Sequence, residues 1–194
     1  MPESAPTDGR PAGILLEVAR VDPPHGPAEQ RRAGRTAAGA ALRRAGSAVL
    51  TVGRRSDGAP VFPDGFAGAI THTRSFAVAV VARGVTGIGV DLETGHLGPG
   101  LDRYLLNDTE RALLWPDRGR QTLRRLFAAK EAGFKALSDC TRAHGGLFWR
   151  VRLSRSDDGL LWARAGADRA LVTHGGTRAF AFAVAVRHPP TPQA

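Results

Sequence analysis

A single cysteine, Cys140, rules out any disulfide within the chain, and no charged-then-apolar leader opens the sequence; together these favour a reducing cytoplasm. No segment approaches the roughly 20 apolar residues that a membrane helix requires. The longest apolar runs, FAVAVVA at 76–82 and AFAFAVAV at 179–186, have the length of buried strands. Aromatic side chains make up only 6% of the residues, a thin supply of stacking surfaces for a nucleic-acid binder. Lysine is nearly missing: Lys130 and Lys135 are its only occurrences, and every other basic side chain is arginine.

What is present asks for an anionic partner. Lysine and arginine total 27 against 18 acidic residues, a net charge of +9. Nucleic acid, a phosphorylated small molecule and an acidic protein all answer that charge. The arginine excess, beside abundant alanine and glycine, is also what a GC-rich genome imposes, so charge alone does not choose. With 194 residues the chain can form one domain or two small lobes.

The pattern along the chain favours two lobes: a tail at 1–13, an N-terminal lobe at 14–97, a C-terminal lobe at 98–188 and a second tail at 189–194. AEQRRAGRTAAGAALRRA at 28–45 reads as a basic helix. The stretch AGAITHTRSFAVAVVARGVTGIGVDLET carries two or three short strands, and GHLGPG at 95–100 is the best linker. NDTERALLW offers Asn107 or Asp108 as a helix N-cap, a second helix covers 120–139, and residues 146–188 are strand-like. ITHTRSFAVAVVAR at 70–83 is echoed by VTHGGTRAFAFAVAVR at 172–187. The expected fold is therefore α+β: two similar α/β lobes related by pseudo-twofold symmetry, each a small antiparallel sheet packed with helices.

Two places carry chemistry. In TGIGVDLET, Asp91 and Glu93 are two apart, which in a strand puts both carboxylates on one face. Such a pair suits Mg²⁺, a hard cation that takes few carboxylates and leaves positions for phosphate, although a solvated strand end would read the same way. In FAAKEAGFKAL, Leu123, Phe127, Phe134 and Leu137 form an apolar stripe, with Glu131 and Lys135 on its shoulder and Lys130 inside it. A lysine within an apolar stripe must find an anion or lose its charge. Glu131 and Lys135 could form an ordinary i,i+4 surface pair, but a chain that uses arginine everywhere else has kept lysine here, as a compact point charge near phosphate would require. His72, before a strand, is either a phosphate ligand or a capping residue, and His174 in the second copy reads as structural.

Taken in order, GAITHTRSFAVAVVA, GIGVDLE and FAAKEAGFKAL resemble the 4'-phosphopantetheinyl transferases, in particular the two-lobed type that activates non-ribosomal peptide and polyketide synthases. The likeness runs over residues 28–140. Thr71-His72-Thr73 matches that family's Ser-His-Ser element, Gly89 to Glu93 its Gly-Ile-Asp-x-Glu, and Phe127 to Lys135 its Lys-Glu helix.

The resemblance implies transfer of 4'-phosphopantetheine from coenzyme A to a serine of an acyl or peptidyl carrier protein, with Mg²⁺ as cofactor and 3',5'-ADP released. It implies Asp91, Glu93 and Glu131 as metal ligands, Glu131, Lys135 and His72 as catalytic residues, and Arg31, Arg35, His72, Lys130 and Lys135 as contacts for coenzyme A. It further implies a cytoplasmic monomer with one site between the lobes, and no nucleic-acid or membrane partner. Ala128, Ala69 and Thr71 depart from the family's usual residues without removing a ligand. Ala59 stands where relatives carry a basic residue, which puts the 3'-phosphate contact there on Arg54 or Arg55. A catalytically degenerate binder of carrier protein or coenzyme A, and a basic nucleic-acid-binding protein, are the alternatives.

Overall fold

The computed structural model describes residues 13–95, 97–98, 100–139 and 148–190. Cys140 and most of the two expected tails lie outside the described residues.

The first lobe begins with β1 (Leu15–Arg20) and α1 (Pro27–Arg44), passes through the two-residue strands β2 (Gly53–Arg54) and β3 (Pro60–Val61), and ends with β4 (Ala67–His72) and β5 (Phe76–Ala82). β1, β5 and β4 form an antiparallel sheet in that order. Alanines let α1 lie close on one face of it: Ala37, Ala38, Ala41 and Leu42 pack against Ala79 and Val81. Gly34 is needed for that approach, since a Cβ there would come within 2.8 Å of Ile70 Cγ2.

The second lobe contains β6 (Gly87–Glu93), α2 (Asp102–Leu105), α3 (Asp108–Leu114), α4 (Arg120–Ala136), and the strands β7 (Arg152–Arg155), β8 (Leu161–Ala165), β9 (Asp168–Gly176) and β10 (Ala181–Arg187). Its five-stranded antiparallel sheet has the order β6-β10-β9-β8-β7. The strand at 87–93, assigned from sequence to the first lobe, therefore belongs by hydrogen bonding to the second. Its alternating Ile88 and Val90 are buried, and they are satisfied by a seam core that draws on both lobes.

The sequence echo is a topological repeat. In each lobe a strand (β1 or β6) leads through helix to a hairpin (β4–β5 or β9–β10) whose second strand pairs back with the first. Register makes the equivalence residue by residue: Thr71 faces Val78, which faces Val18, and Thr173 faces Val184, which faces Val90. The seam is nonetheless built from unlike strands. Ala69, Val78 and Val80 of β4 and β5 pack on Ile88 and Val90 of β6, whereas β1, the counterpart of β6, lies on the outside with Leu16 and Val18 exposed.

Glycines set helix α4 directly on β6. A Cβ at Gly89 would lie 1.9 Å from the Ala132 carbonyl oxygen, and one at Gly87 would lie 2.1 Å from that of Ala136. No side chain fits at either position, so the strand that carries Asp91 and the helix that carries Glu131 and Lys135 are in backbone contact.

Candidate active site

Asp91 is the centre of the site. Its carboxylate is buried on β6 at the seam, where Lys135 Nζ of α4 approaches Oδ1 to 2.7 Å and also donates to the Val90 carbonyl at 3.0 Å. Thr71 Oγ1, from β4 of the other lobe, donates to the same Oδ1 at 3.0 Å. The remaining oxygen, Oδ2, is buried with no hydrogen-bond partner. An ionised oxygen in that state is costly unless a cation meets it.

Two more carboxylates share the neighbourhood. Burial, then the negative charges of Asp91 and Glu131, push Glu93 up to about 7, with Lys135 and Arg124 pulling the other way. Burial also raises Glu131, opposed by Lys135 and reinforced by Asp91. Like charges gathered in a partly dry site raise one another in this way when no metal offsets them. His72 follows Thr71 at the end of β4; burial and the nearby Lys135 ammonium hold it below its ordinary value.

The structure thus brings together Asp91, Glu93, Glu131, Lys135 and His72. It does not bring Lys130 to them. Lys130 is fully buried and turned into the second lobe, where Nζ lies 2.9 and 3.0 Å from the two oxygens of Glu110 and also donates to the Leu105 carbonyl. This corrects the expectation that Lys130 contacts coenzyme A: the side chain leaves α4 on the core side, and its anion is a glutamate. The pairing of Glu131 with Lys135 is likewise replaced, since Lys135 makes its ion pair with Asp91.

Arg31 and Arg35 lie apart from the carboxylates, along a shallow groove on α1 with Arg32, Thr36 and Leu50 to Val52. A larger cleft of about 930 Å³ separates the loop around Ala59 to Phe62 from Gly84 to Ile88 and the end of α4, and Lys135 and Arg55 both line it. Arg55 therefore offers a cation beside Ala59.

Three contributors were missed in the sequence. The sequence presents Thr71 as a departure that removes no ligand, yet it ties the lobes together at Asp91. Glu110 was legible only as the fourth residue of an Asn107 capping box; the box is present, with Asn107 Oδ1 accepting from Glu110 N at 2.7 Å. Arg124, three turns of α4 before Lys135 and nearly buried, bears on Glu93 and holds the Arg178 carbonyl at 3.0 Å.

The donor chemistry fits a hard divalent cation: carboxylate oxygens, one of them buried without a hydrogen-bond partner. Among the described residues no three such side chains are drawn together tightly enough to ligate a metal by themselves. Mg²⁺ does not need that, because it completes its shell with water and substrate phosphate.

A profile of the 4'-phosphopantetheinyl transferase N-terminal domain matches residues 29–82, the stretch from α1 to β5. Enterobactin synthase component D of Salmonella typhi is 37% identical over 113 residues, covering 55% of this chain and 47% of that protein. Over about half of its length the chain is similar to 4'-phosphopantetheinyl transferases. The 4'-phosphopantetheinyl transferase Svp of Streptomyces mobaraensis is 40% identical over 111 residues, 53% of this chain and 44% of Svp. Npt of Nocardia iowensis, another member of that name, is 34% identical over 100 residues, 50% of this chain and 45% of Npt. The matches span about half the length of these relatives. Among solved structures, Thermotoga maritima holo-[acyl-carrier-protein] synthase superposes with a TM-score of 0.43 at 27% identity, over 54% of this chain and 65% of that one. No helix among the described residues is long and apolar enough to cross a membrane.

Proposed function

We propose that this chain transfers 4'-phosphopantetheine from coenzyme A to a serine of an acyl or peptidyl carrier protein, acting as a Mg²⁺-dependent cytoplasmic monomer. The observation that carries the reading is Asp91, gripped by Lys135 and Thr71 from two lobes, with its second oxygen unpartnered beside Glu93 and Glu131. Similarity to the 4'-phosphopantetheinyl transferases supports reading that cluster as a site for a pyrophosphate ester.

Asp91, Glu93 and Glu131 would hold Mg²⁺, which when bound would supply positive charge against the pyrophosphate. Lys135 places an ammonium, and His72 an imidazole, where negative charge grows on the leaving group. The serine oxygen forms a new bond to the β-phosphorus, the bridging P–O bond to 3',5'-ADP breaks, and the serine proton passes to Glu131, directly or through water. Burial raises Glu131 above the ordinary carboxylate value, which makes its ionised form a stronger base. Arg31, Arg35 and Arg55 are the cations available to the 3'-phosphate.

The test is intact-mass measurement of a panel of apo carrier domains incubated with the protein, coenzyme A and Mg²⁺, with and without EDTA. A mass gain of one phosphopantetheine that EDTA abolishes is the expected result, and Lys135→Arg abolishes it too while leaving the circular dichroism spectrum unchanged. Coenzyme A binding with no transfer to any carrier would replace the enzyme with a degenerate binder.

A further inference from the structure

The outer face of the second sheet carries a feature that the proposed activity does not use. Arg152 on β7 stands directly opposite Arg164 on β8, and Arg164 stands directly opposite Arg169 on β9. All three are exposed. Cross-strand partners sit close enough that like charges in register destabilise a sheet, and this row repeats the unfavourable pairing across three strands. Among the described residues no carboxylate ion-pairs with any of the three. Arg164 Nε donates to Ser154 Oγ at 3.3 Å, Arg152 donates to the Trp149 carbonyl at 2.7 Å, and Arg169 lies over the Trp162 ring at 4.5 Å. Most of the guanidinium N–H groups therefore point to solvent without an anion.

We propose that this arginine row is a docking surface for an acidic polypeptide segment. Carboxylates match the planar forks of arginine two bonds at a time, and a row of forks at strand spacing suits a run of acidic side chains. Single-stranded nucleic acid would answer the charge as well, but it draws its affinity from stacking on free aromatic faces. Here Arg169 already covers Trp162, and Trp149 is the one strongly exposed ring beside the row. Strand addition at the β7 edge is closed off, because the outward Leu153 N–H is taken by Glu110 Oε1 at 2.7 Å. The segment therefore lies on the face of the sheet, bound through side chains.

Fluorescence anisotropy with a labelled deca-glutamate peptide at low salt tests this on the full chain. The triple variant Arg152→Gln/Arg164→Gln/Arg169→Gln is expected to bind about tenfold or more weakly. A control with the same charge removed elsewhere, Arg20→Gln/Arg43→Gln/Arg83→Gln, is expected to bind within about twofold of the parent. Relief of like-charge pairing predicts that the row variant melts no lower than the parent, so that lost binding is not lost folding. Equal losses in the two triples, or no binding by the parent, would overturn the proposal. So would tighter, row-dependent binding of a labelled oligothymidylate, which would make the face a nucleic-acid surface. None of these outcomes depends on whether the chain transfers phosphopantetheine.

Discussion

Thr71 and Asp91 come from different lobes, and their hydrogen bond, Oγ1 to Oδ1 at 3.0 Å, makes the central carboxylate a shared possession of both. Thr71→Val keeps the shape and deletes the donor, leaving Lys135 as the only partner of that oxygen. The expected cost is about 1.5–3 kcal/mol of stability, read from urea unfolding, because hydrogen bonds to charged groups fall in that range. A variant as stable as the parent would show that the bond adds nothing across the seam.

The Lys130–Glu110 pair is predicted to behave as a buried ion pair and not as part of the site. Lys130→Met strands Glu110, which is 2% exposed, and should destabilise by about 3–5 kcal/mol. Adding Glu110→Gln removes the stranded charge and should recover much of that loss. Failure of the double variant to recover would mean that the bonds of Glu110 to Asn107 and Leu153 matter more than its charge.

As a proposed metal ligand, Glu93 would link metal binding to proton release. Neighbouring carboxylates and burial put it at about 7, so near neutral pH a large share is protonated in the metal-free protein. A cation on these oxygens favours the ionised form, so Mg²⁺ binding should release protons. Calorimetric titration in two buffers of unlike ionisation enthalpy near that pH should give different apparent heats, and Glu93→Gln should make them converge. Heats that already agree in the parent would remove Glu93 from the ligand set.

His174 supplies a stability trend of the opposite kind. Burial, then the charges of Arg155 and Arg125, hold it below its ordinary 6.5, and its Nδ1 is buried without a partner. As pH falls through 6.5 the unfolded chain binds this proton before the folded chain does, so the stabilisation present above that pH is lost below it. His72 moves in the same direction and Glu93 in the other, so the informative quantity is a difference. The melting-temperature gap between the parent and His174→Gln should change steadily in the parent's disfavour as pH drops below 6.5. A gap that stays constant with pH would mean that His174 titrates as a free imidazole.

Local pattern was enough for the parts that depend on nearest neighbours in the chain. A helix expected over 120–139 and found over 120–136, a cap expected at Asn107 or Asp108 and found at Asn107, the alternating strands and the echo between 70–83 and 172–187 were legible because periodicity and capping act within a few residues. The i, i+2 spacing of Asp91 and Glu93 and the lysine anomaly pointed to side chains that the fold gathers into one cluster, since a strand and an acid pair state their own geometry.

The tertiary structure decided which lysine joins the carboxylate cluster. Lys130 and Lys135 differ by five residues on one helix, so they leave it in different directions, and only the packing of α4 between the core and β6 determines that one meets Glu110 and the other Asp91. Composition could not reveal that β6 pairs with β10, nearly a hundred residues later, or that Thr71 crosses the seam. It could not reveal that three arginines stand in register on three strands either. Long-range pairing brings distant residues together through buried area and ladder hydrogen bonds, quantities that no short stretch of sequence contains.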